Sequence, residues 1–502
     1  MKSMVLTLVA ALTLSSCAVG PNYKRPVVRV PSEFRGAGAP PASPSGTDSR
    51  SLADEKWFDL FDDEVLKQLV SSALEQNFDL RIASERVLQA RAQLGITRSD
   101  LFPAIDADAQ FVANRGSSAG AIPFIPKGAN LDVSYTQVGF TLGWELDVWG
   151  RLRRLKESAR AQYLATEEAR HGVMTTLISD VTSAYFALRE LDLELEIARK
   201  TRTIAEDSIR LTQLRHNQGV ATALDVRQAE QFLYTAAARI ASIERAISQT
   251  ENALSLLLGG SPGGVARGKA LEDFEAPQVP PGLPSALLER RPDIREAERT
   301  LIAANALIGA ARAQYFPRIT LTGFLGGQSR ALSDLFTGPA RFWNFTPGVT
   351  LPIFNAGRIR NNVRFTQAQQ REALIRYEQS IQNAFREVSD SLIGYRKTVE
   401  QRRQQELLVE ALRETEHLST LRYRGGLDSY LQVLDAERNL FEGDLTLARL
   451  RLQEIDASCS STEPWAAAGA ENKSGAMWPK SGTMWRKLSA CSVEPRPDAL
   501  LF

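Results

Sequence analysis

The sequence predicts a mixed α and β membrane protein built from two internal repeats. Three observations carry that prediction. The chain matches itself at a spacing of just over 200 residues. Each half holds segments in which apolar and polar residues alternate, the pattern of strands with two unlike faces. Each half also holds a long stretch without proline that steps its apolar residues in fours and threes, the pattern of packed helical rods.

The repeat is direct. Residues 78–103, FDLRIASERVLQARAQLGITRSDLFP, align without a gap on residues 292–317, PDIREAERTLIAANALIGAARAQYFP. Asp79/Asp293, Arg81/Arg295, Gly95/Gly309, Arg98/Arg312 and Phe102-Pro103/Phe316-Pro317 coincide at an offset of 214. Residues 211–230 align on 418–437 at an offset of 207, with Leu214-Arg215, Gly219, Val226 and Ala229-Glu230 recurring as Leu421-Arg422, Gly426, Val433 and Ala436-Glu437. A period this long excludes a solenoid and implies one architecture made of two similar halves. The expected division is 54–258 and 285–456, joined by a Gly/Pro-rich linker at 259–284.

The elements follow in order. Residues 1–16 read as a secretory signal: Lys2, then the apolar run from Met4 to Leu14, too short to span a bilayer. It ends Leu14-Ser15-Ser16-Cys17, which resembles the lipobox of bacterial lipoproteins, so Cys17 is the expected lipid anchor and first mature residue. Residues 17–53 form a tether, rich in Pro, Ser and Gly from 31 to 50. A helix over 79–101 stops at Phe102-Pro103. Strands are expected at about 104–114 and 134–148, then about 318–328 and 342–354. Ile105, Ala107, Ala109 and Phe111 alternate with Asp106, Asp108 and Gln110; Val138, Phe140, Leu142, Trp144 and Leu146 alternate with Gly139, Thr141, Gly143 and Glu145. This suits barrel strands with one face on lipid and one on water, although a soluble sandwich strand alternates in the same way. Gly/Ala-rich loops are expected at 115–131 and 326–341. Four strands cannot close a barrel, for which about eight is the practical minimum. An open sheet edge in lipid would leave backbone groups unpaired. If the strands span a membrane, several chains must share one barrel.

Long helices are expected at about 151–217 and 358–424, each roughly 100 Å at 1.5 Å per residue. Their seams are Leu177, Val181, Ala184, Leu188, Leu191, Leu195 and Ala198, and Ile381, Phe385, Val388, Leu392, Tyr395 and Val399. The rods break at Gly219 and Gly425-Gly426, and return helices are expected at about 221–258 and 427–456. The breaks are tips of helical hairpins, with Asp225 and Asp428-Ser429 as polar caps.

Composition excludes several classes. Lys+Arg is 60 against Asp+Glu 59, which disfavours a nucleic-acid binder driven by bulk charge. Three cysteines do not build a disulfide scaffold. His171, His216 and His417 show no ligand spacing, and no nucleophile–base set or phosphate loop appears. No catalytic, cofactor-binding or metal residues are assigned.

Cys17, CAVGPNYKRP, RRPDIREAE, ARAQYFPRITL, the LPIF…GR strand end and RYRGGLDSYLQVLDAER, in this order and spacing, resemble the TolC-like outer-membrane factors, and within them the NodT-type efflux lipoproteins. The resemblance covers residues 14 to about 456. It implies a homotrimer with a shared twelve-stranded barrel in the outer membrane, four strands per chain, and a long periplasmic α-helical barrel. It implies no enzymatic chemistry and no cofactor beyond diacylglycerol and an N-acyl chain on Cys17. The implied function is the exit duct of a tripartite efflux pump for small molecules such as drugs. Its partners would be a periplasmic membrane-fusion adaptor, an inner-membrane transporter of the resistance-nodulation-division type and outer-membrane lipid. A type I protein secretion duct, or a structural coiled-coil lipoprotein, are the alternatives.

The resemblance also implies two sites. A periplasmic gate ring corresponds to Leu431, Asp435 and Arg438, which share one helix face at i, i+4 and i+7. Repeat one carries Leu224, Gln228 and Gln231 there, so the charges belong to one hairpin only. The adaptor would dock on the tips Gly219-Val220-Ala221-Thr222 and Gly426-Leu427-Asp428-Ser429. Tight turns need glycine in any case.

Beyond Asp456 the helical pattern lapses, and residues 457–502 are expected to be poorly ordered, with Cys459 and Cys491 carrying no role. The family usually ends in something like LVQLYRALGGGW. Residues 457–469, ASCSSTEPWAAAG, admit codons whose third-base frame reads that string. The expectation is a frameshift near codon 456. Genomic DNA across codons 450–470 should restore LVQLYRALGGGW in a single alternative frame; a frame that does not would dismiss it.

Overall fold

The computed structural model describes residues 18–28, 31, 34, 35, 62–117, 131–274 and 288–477, with side chains as far as Cys459. The expected signal, Cys17, most of the tether, the loop around 118–130, the linker from 275 to 287 and the tail beyond 477 lie outside the described residues. The elements are helices α1 (Glu64–Gln76) and α2 (Phe78–Ser99), strands β1 (Ala104–Arg115) and β2 (Asp132–Leu146), and helices α3 (Arg151–Asn217), α4 (Ala223–Leu257) and α5 (Pro292–Ala313). Strands β3 (Arg318–Ser329) and β4 (Arg341–Thr350) and helices α6 (Arg358–Arg424) and α7 (Tyr430–Met477) complete them. The described residues form two compact units. One draws on the described residues within 1–28, 84–169 and 295–380, the other on those within 29–83, 170–294 and 381–502.

The first unit holds one antiparallel sheet in the order β1-β2-β3-β4. Its register places a row of apolar residues from all four strands on one face. Ala107 pairs with Phe140, Phe140 with Leu325, and Leu325 with Trp343; Trp144 pairs with Leu321, and Leu321 with Pro347. On that face Ile105, Phe140, Leu325, Trp343 and Val349 are more than half exposed. The other face carries Asp106, Thr141, Thr320 and Thr346, and there Thr141 donates to Asp108 at 2.7 Å. A β-carbon on Gly139 or Gly326 would meet the opposite strand's backbone at 2.5 or 2.2 Å, and the Phe324 ring covers both positions. Phe324 is therefore a buried aromatic on the more polar face, beside Phe342 of β4, which alternation alone did not reveal.

Strand ends differ from the expected ones for local reasons. β2 stops at Leu146 rather than 148 because the Asp147 carboxylate accepts from the amides of Leu152 and Arg153 at 3.0 and 2.8 Å, capping α3. β4 stops at Thr350 rather than 354 because Pro352 supplies no ladder donor and restricts Leu351. β3 runs to Ser329, into the segment expected as loop, because Gly326 and Gly327 pair with both neighbours. Both Phe-Pro helix stops pack at tryptophans near the end of β2. Trp144 donates its indole N–H to the Leu101 carbonyl at 3.1 Å; Trp149 donates to the Pro317 carbonyl at 2.8 Å and stacks on Phe316.

Residues 18–25 are strapped onto this unit. Val19 donates to the Trp149 carbonyl at 3.0 Å, and Arg154 reaches the Val19 carbonyl and the Asn22 side chain at 3.3 and 2.7 Å. Asn305 donates to the Pro21 carbonyl, and Glu298 accepts from Tyr23 and Arg25. Gly20 lies so close to Gly309 that a β-carbon on it would sit 2.4 Å from the Gly309 Cα. The repeat partner Gly95 has nothing within 4 Å of its β-carbon position. One strap thus covers the helix of one repeat only. On the counterpart α2, Ile82, Leu88 and Ile96 are at least half exposed.

In the second unit the core joins α1, α3, α4 and α7 through Leu66, Val70, Val181, Tyr185, Phe186, Leu188, Leu254 and Ile455. The α3 seam residues Leu177, Val181, Leu188 and Ala198 are buried, as are Ile381, Phe385, Val388 and Leu392 of α6. Asp63 organises one end of the core. Buried at 3% exposure, it accepts from the amides of Val65 and Leu66, from the Tyr185 hydroxyl at 2.7 Å and from the Lys269 amide at 3.2 Å. Asn77 caps α2 through Leu80 and donates to the Leu257 carbonyl at 2.9 Å.

Helix α7 corrects the expectation for the tail. It continues past residue 456 to Met477, and Ser458 and Cys459 are buried, Cys459 within the core. Elongating an existing helix needs only one bond per added residue, and Ala466, Ala467 and Ala468 are strong helix formers, so the backbone stays helical beyond Pro464.

Asp63→Ala should destabilise the protein by about 2–4 kcal/mol, because it removes a cap and strands a buried tyrosine hydroxyl. Thermal unfolding of the purified protein checks this; an unchanged midpoint would remove Asp63 from this role.

Candidate functional site: hairpin tips and the gate face

Both tips are built the same way. At the first, Gly219 has φ +75°, its amide reaches the His216 carbonyl at 2.9 Å, and Val220 reaches the Arg215 carbonyl at 2.8 Å. At the second, Gly426 has φ +72°, its amide reaches Tyr423, and Leu427 reaches Arg422 at 2.9 Å. This is the glycine-terminated Schellman cap, which closes the orphan carbonyls of a helix end and reverses the chain. Thr222 then starts α4 with a capping box, exchanging bonds with Asp225. Asp225 thus acts in the cap as part of a pair. Asp428 instead accepts from Nε and Nη2 of Arg422, at 2.5 and 3.2 Å, and the pairing holds its carboxyl below the usual carboxylate range. Ser429 accepts from the Gln432 amide through its carbonyl. Val220 and Leu427 project as exposed apolar side chains, with the small Ala221 beside Val220.

The second tip is anchored to the first. The Arg215 guanidinium lies 4.3 Å from the centre of the Tyr423 ring and donates to the Tyr423 carbonyl at 2.9 Å. Beneath it Ala205, Ala229, Phe232, Tyr423, Tyr430, Val433 and Leu434 form a small core drawn from both repeats. Sequence reasoning missed Arg215 and Tyr423; the recurring Leu-Arg before each glycine was the available signal.

Along α7, Val433, Leu434, Ala436 and Glu437 face inward, while Leu431 and Asp435 are exposed and Arg438 half-exposed. The three residues expected at the gate therefore lie on one outward face of the single chain. Asp435 accepts from Asn439 at 3.2 Å, and no ion pair joins it to Arg438 among the described residues. In repeat one Leu224 and Gln231 are exposed and Gln228 is half-buried.

The unit is tied across its repeats by buried charge. Glu194 of α3 accepts from Arg239 of α4 and from Arg449 of α7, both at 2.9 Å. The neighbouring Glu190 is pushed up to about 7 by burial and by the Glu194 charge. Among the described residues no cluster of candidate metal ligands occurs, and no helix is long and apolar enough to cross a membrane.

A fourfold antiparallel sheet with one apolar face, followed by paired helical hairpins, defines the outer-membrane channel class, the fold class expected from sequence. The chain belongs to the outer membrane efflux protein family, whose model matches residues 69–260 and 283–460. That match ends beside the change of pattern in the tail. The chain is 37% identical over 458 residues to the probable efflux pump outer membrane protein TtgC of Pseudomonas putida, covering 90% of this chain and 93% of the relative. It is 36% identical over 450 residues to the cation efflux system protein CusC of Escherichia coli, covering 89% and 95%. Its fold matches the open-state MtrE outer membrane channel of Neisseria gonorrhoeae with a TM-score of 0.79 at 30% identity, covering 90% of this chain and 98% of that one. The protein is an outer-membrane efflux channel.

Proposed function

We propose that three copies of this chain share one twelve-stranded barrel and form the exit duct of a tripartite pump. In that pump the duct receives small molecules from a periplasmic adaptor and an inner-membrane transporter of the resistance-nodulation-division type. The observation that carries the reading is the sheet. A row of its apolar side chains shares one face, while β1 and β4 each have a neighbour on one side only among the described residues. Lipid tolerates such a sheet only when its edges are paired, and three sheets of four exceed the minimum for closure. The exposed apolar residues of α2, left uncovered by the strap, fit a contact between copies.

Cys17 is the proposed lipid anchor, and the strap supports it. Ala18 packs against Gly150, where a β-carbon would lie 2.7 Å from the alanine's, so the residue after the cysteine is held beside the end of β2. Acyl chains at Cys17 would enter the leaflet next to the sheet's tryptophans, residues that favour the membrane interface. Radiolabelled palmitate should enter the wild-type chain and not Cys17→Ala; equal labelling of both would dismiss the anchor.

At the hairpin end, the shared face of Leu431, Asp435 and Arg438 suits a ring that narrows the duct when three copies meet, and the small tips suit end-on docking of an adaptor hairpin. Relatives of nearly equal similarity are named for antibiotic, toluene and cation efflux, which fits a duct whose selectivity resides upstream. Asp435→Ala and Arg438→Ala should each raise single-channel conductance in planar bilayers severalfold. Wild-type conductance in both would sink the gate.

A further inference from the structure

Glu437 follows the gate residue Asp435 by two positions but faces the opposite way. It is 6% exposed. Its Oε1 accepts from the Ser208 hydroxyl of α3 at 2.9 Å, a bond that joins the second repeat to the first. Its Oε2 is buried without a hydrogen-bond partner among the described residues, as is the hydroxyl of Tyr423; the Tyr430 ring lies 5.6 Å from that of Tyr423, and its hydroxyl sits by Ser208. A buried carboxylate in this position is costly unless it is paired or neutral.

Among the described residues no ion pair reaches Glu437, and the charge that acts on it is that of Glu416. α3 offers the Ser208 hydroxyl, and α4 offers the Phe232 ring. α6 brings Glu416, a like charge, and Tyr423; its Arg413 is engaged by Asp444. α7 adds Tyr430, while Arg438 stands on its half-exposed side. Glu437 and Glu416 line a cavity of about 540 Å³, whose other cations are Lys200 and Arg451, the latter paired with Glu272. Glu437 borders this cavity, while its Oε2 is itself closed to solvent. Burial pushes the Glu437 carboxyl up to about 7, and repulsion from Glu416 adds to this, while the Ser208 hydroxyl favours the charged form. In repeat one the corresponding Glu230 is paired at the surface with Arg227 at 2.7 Å.

We propose that Glu437 is a protonation latch: as the neutral acid it holds α7 against α3, and its ionisation loosens that seam and the face carrying Leu431, Asp435 and Arg438. The link to conduction rests on the gate reading above; the latch itself does not. The sign follows from linkage. The packed seam binds the proton up to about pH 7, whereas a loosened, hydrated Glu437 releases it near its ordinary 4.5. The packed form is therefore favoured fully below 4.5, loses its advantage as pH rises to about 7, and changes no further above that.

Hydrogen exchange of the purified full-length protein, corrected for intrinsic rates, tests this at residues 205–212 and 430–441. Protection in wild type should fall between pH 5.5 and 8, by roughly thirtyfold. Glu437→Gln should stay at the low-pH wild-type level throughout. Ser208→Ala should keep the transition but move its midpoint to higher pH. Equal pH dependence in wild type and Glu437→Gln would overturn the latch, as would a flat wild-type profile or a Glu437→Gln seam that is unprotected even at pH 5.5. Because exchange reads the seam directly, a failed latch and a failed gate are told apart.

Discussion

A sheet that meets hydrocarbon must pair every backbone amide and carbonyl it carries. That constraint governs this protein. Four strands join into one antiparallel sheet with one apolar face, and β2–β3 pairing stitches the two repeats together along Thr136–Leu146 and Ile319–Ser329. Among the described residues the outer edges of β1 and β4 lack a partner strand, and other copies of the chain can supply one. Oligomerisation is in this sense part of the fold. A single chain cannot complete the hydrogen bonding that its membrane face demands.

The helical unit faces the complementary problem of charge inside a packed bundle. It solves it in three ways. Asp63 surrounds its carboxylate with two helix amides, a tyrosine hydroxyl and a loop amide. Glu194 takes two arginines, one from each repeat. Glu437 has one hydroxyl and, among the described residues, no ion pair, so neutralisation by a proton is the remaining route. The first two fasten the bundle; the third makes one seam responsive. The tips use local geometry instead, because a Schellman cap at glycine closes the rod with its own backbone.

Much of this was legible along the chain. Alternation marked strands in both halves, and proline-free rods ending in glycine marked the hairpins, because both signals arise from neighbours in sequence. Strand ends were less legible. Asp147 reads as one more polar residue of β2 until it caps α3, and Phe324 reads as a polar-face position until it lies over Gly139 and Gly326. The end of α7 was misjudged because a lapsed apolar stripe does not stop a helix that is already propagating.

The repeats separate the two kinds of information. The sequence by itself determined that Gly95 and Gly309, Arg215 and Arg422, and Glu230 and Glu437 are equivalent pairs, and that each half folds as helix, strands and hairpin. Tertiary structure alone decided what each member does. Gly309 receives the N-terminal strap while Gly95 stands open. Arg215 stacks on Tyr423 while Arg422 pairs with Asp428. Glu437 is buried against Ser208 while Glu230 meets Arg227 at the surface. Local conformation depends on adjacent residues and repeats with them. Burial and charge depend on segments hundreds of positions away, and two equivalent positions in one chain need not share those neighbours.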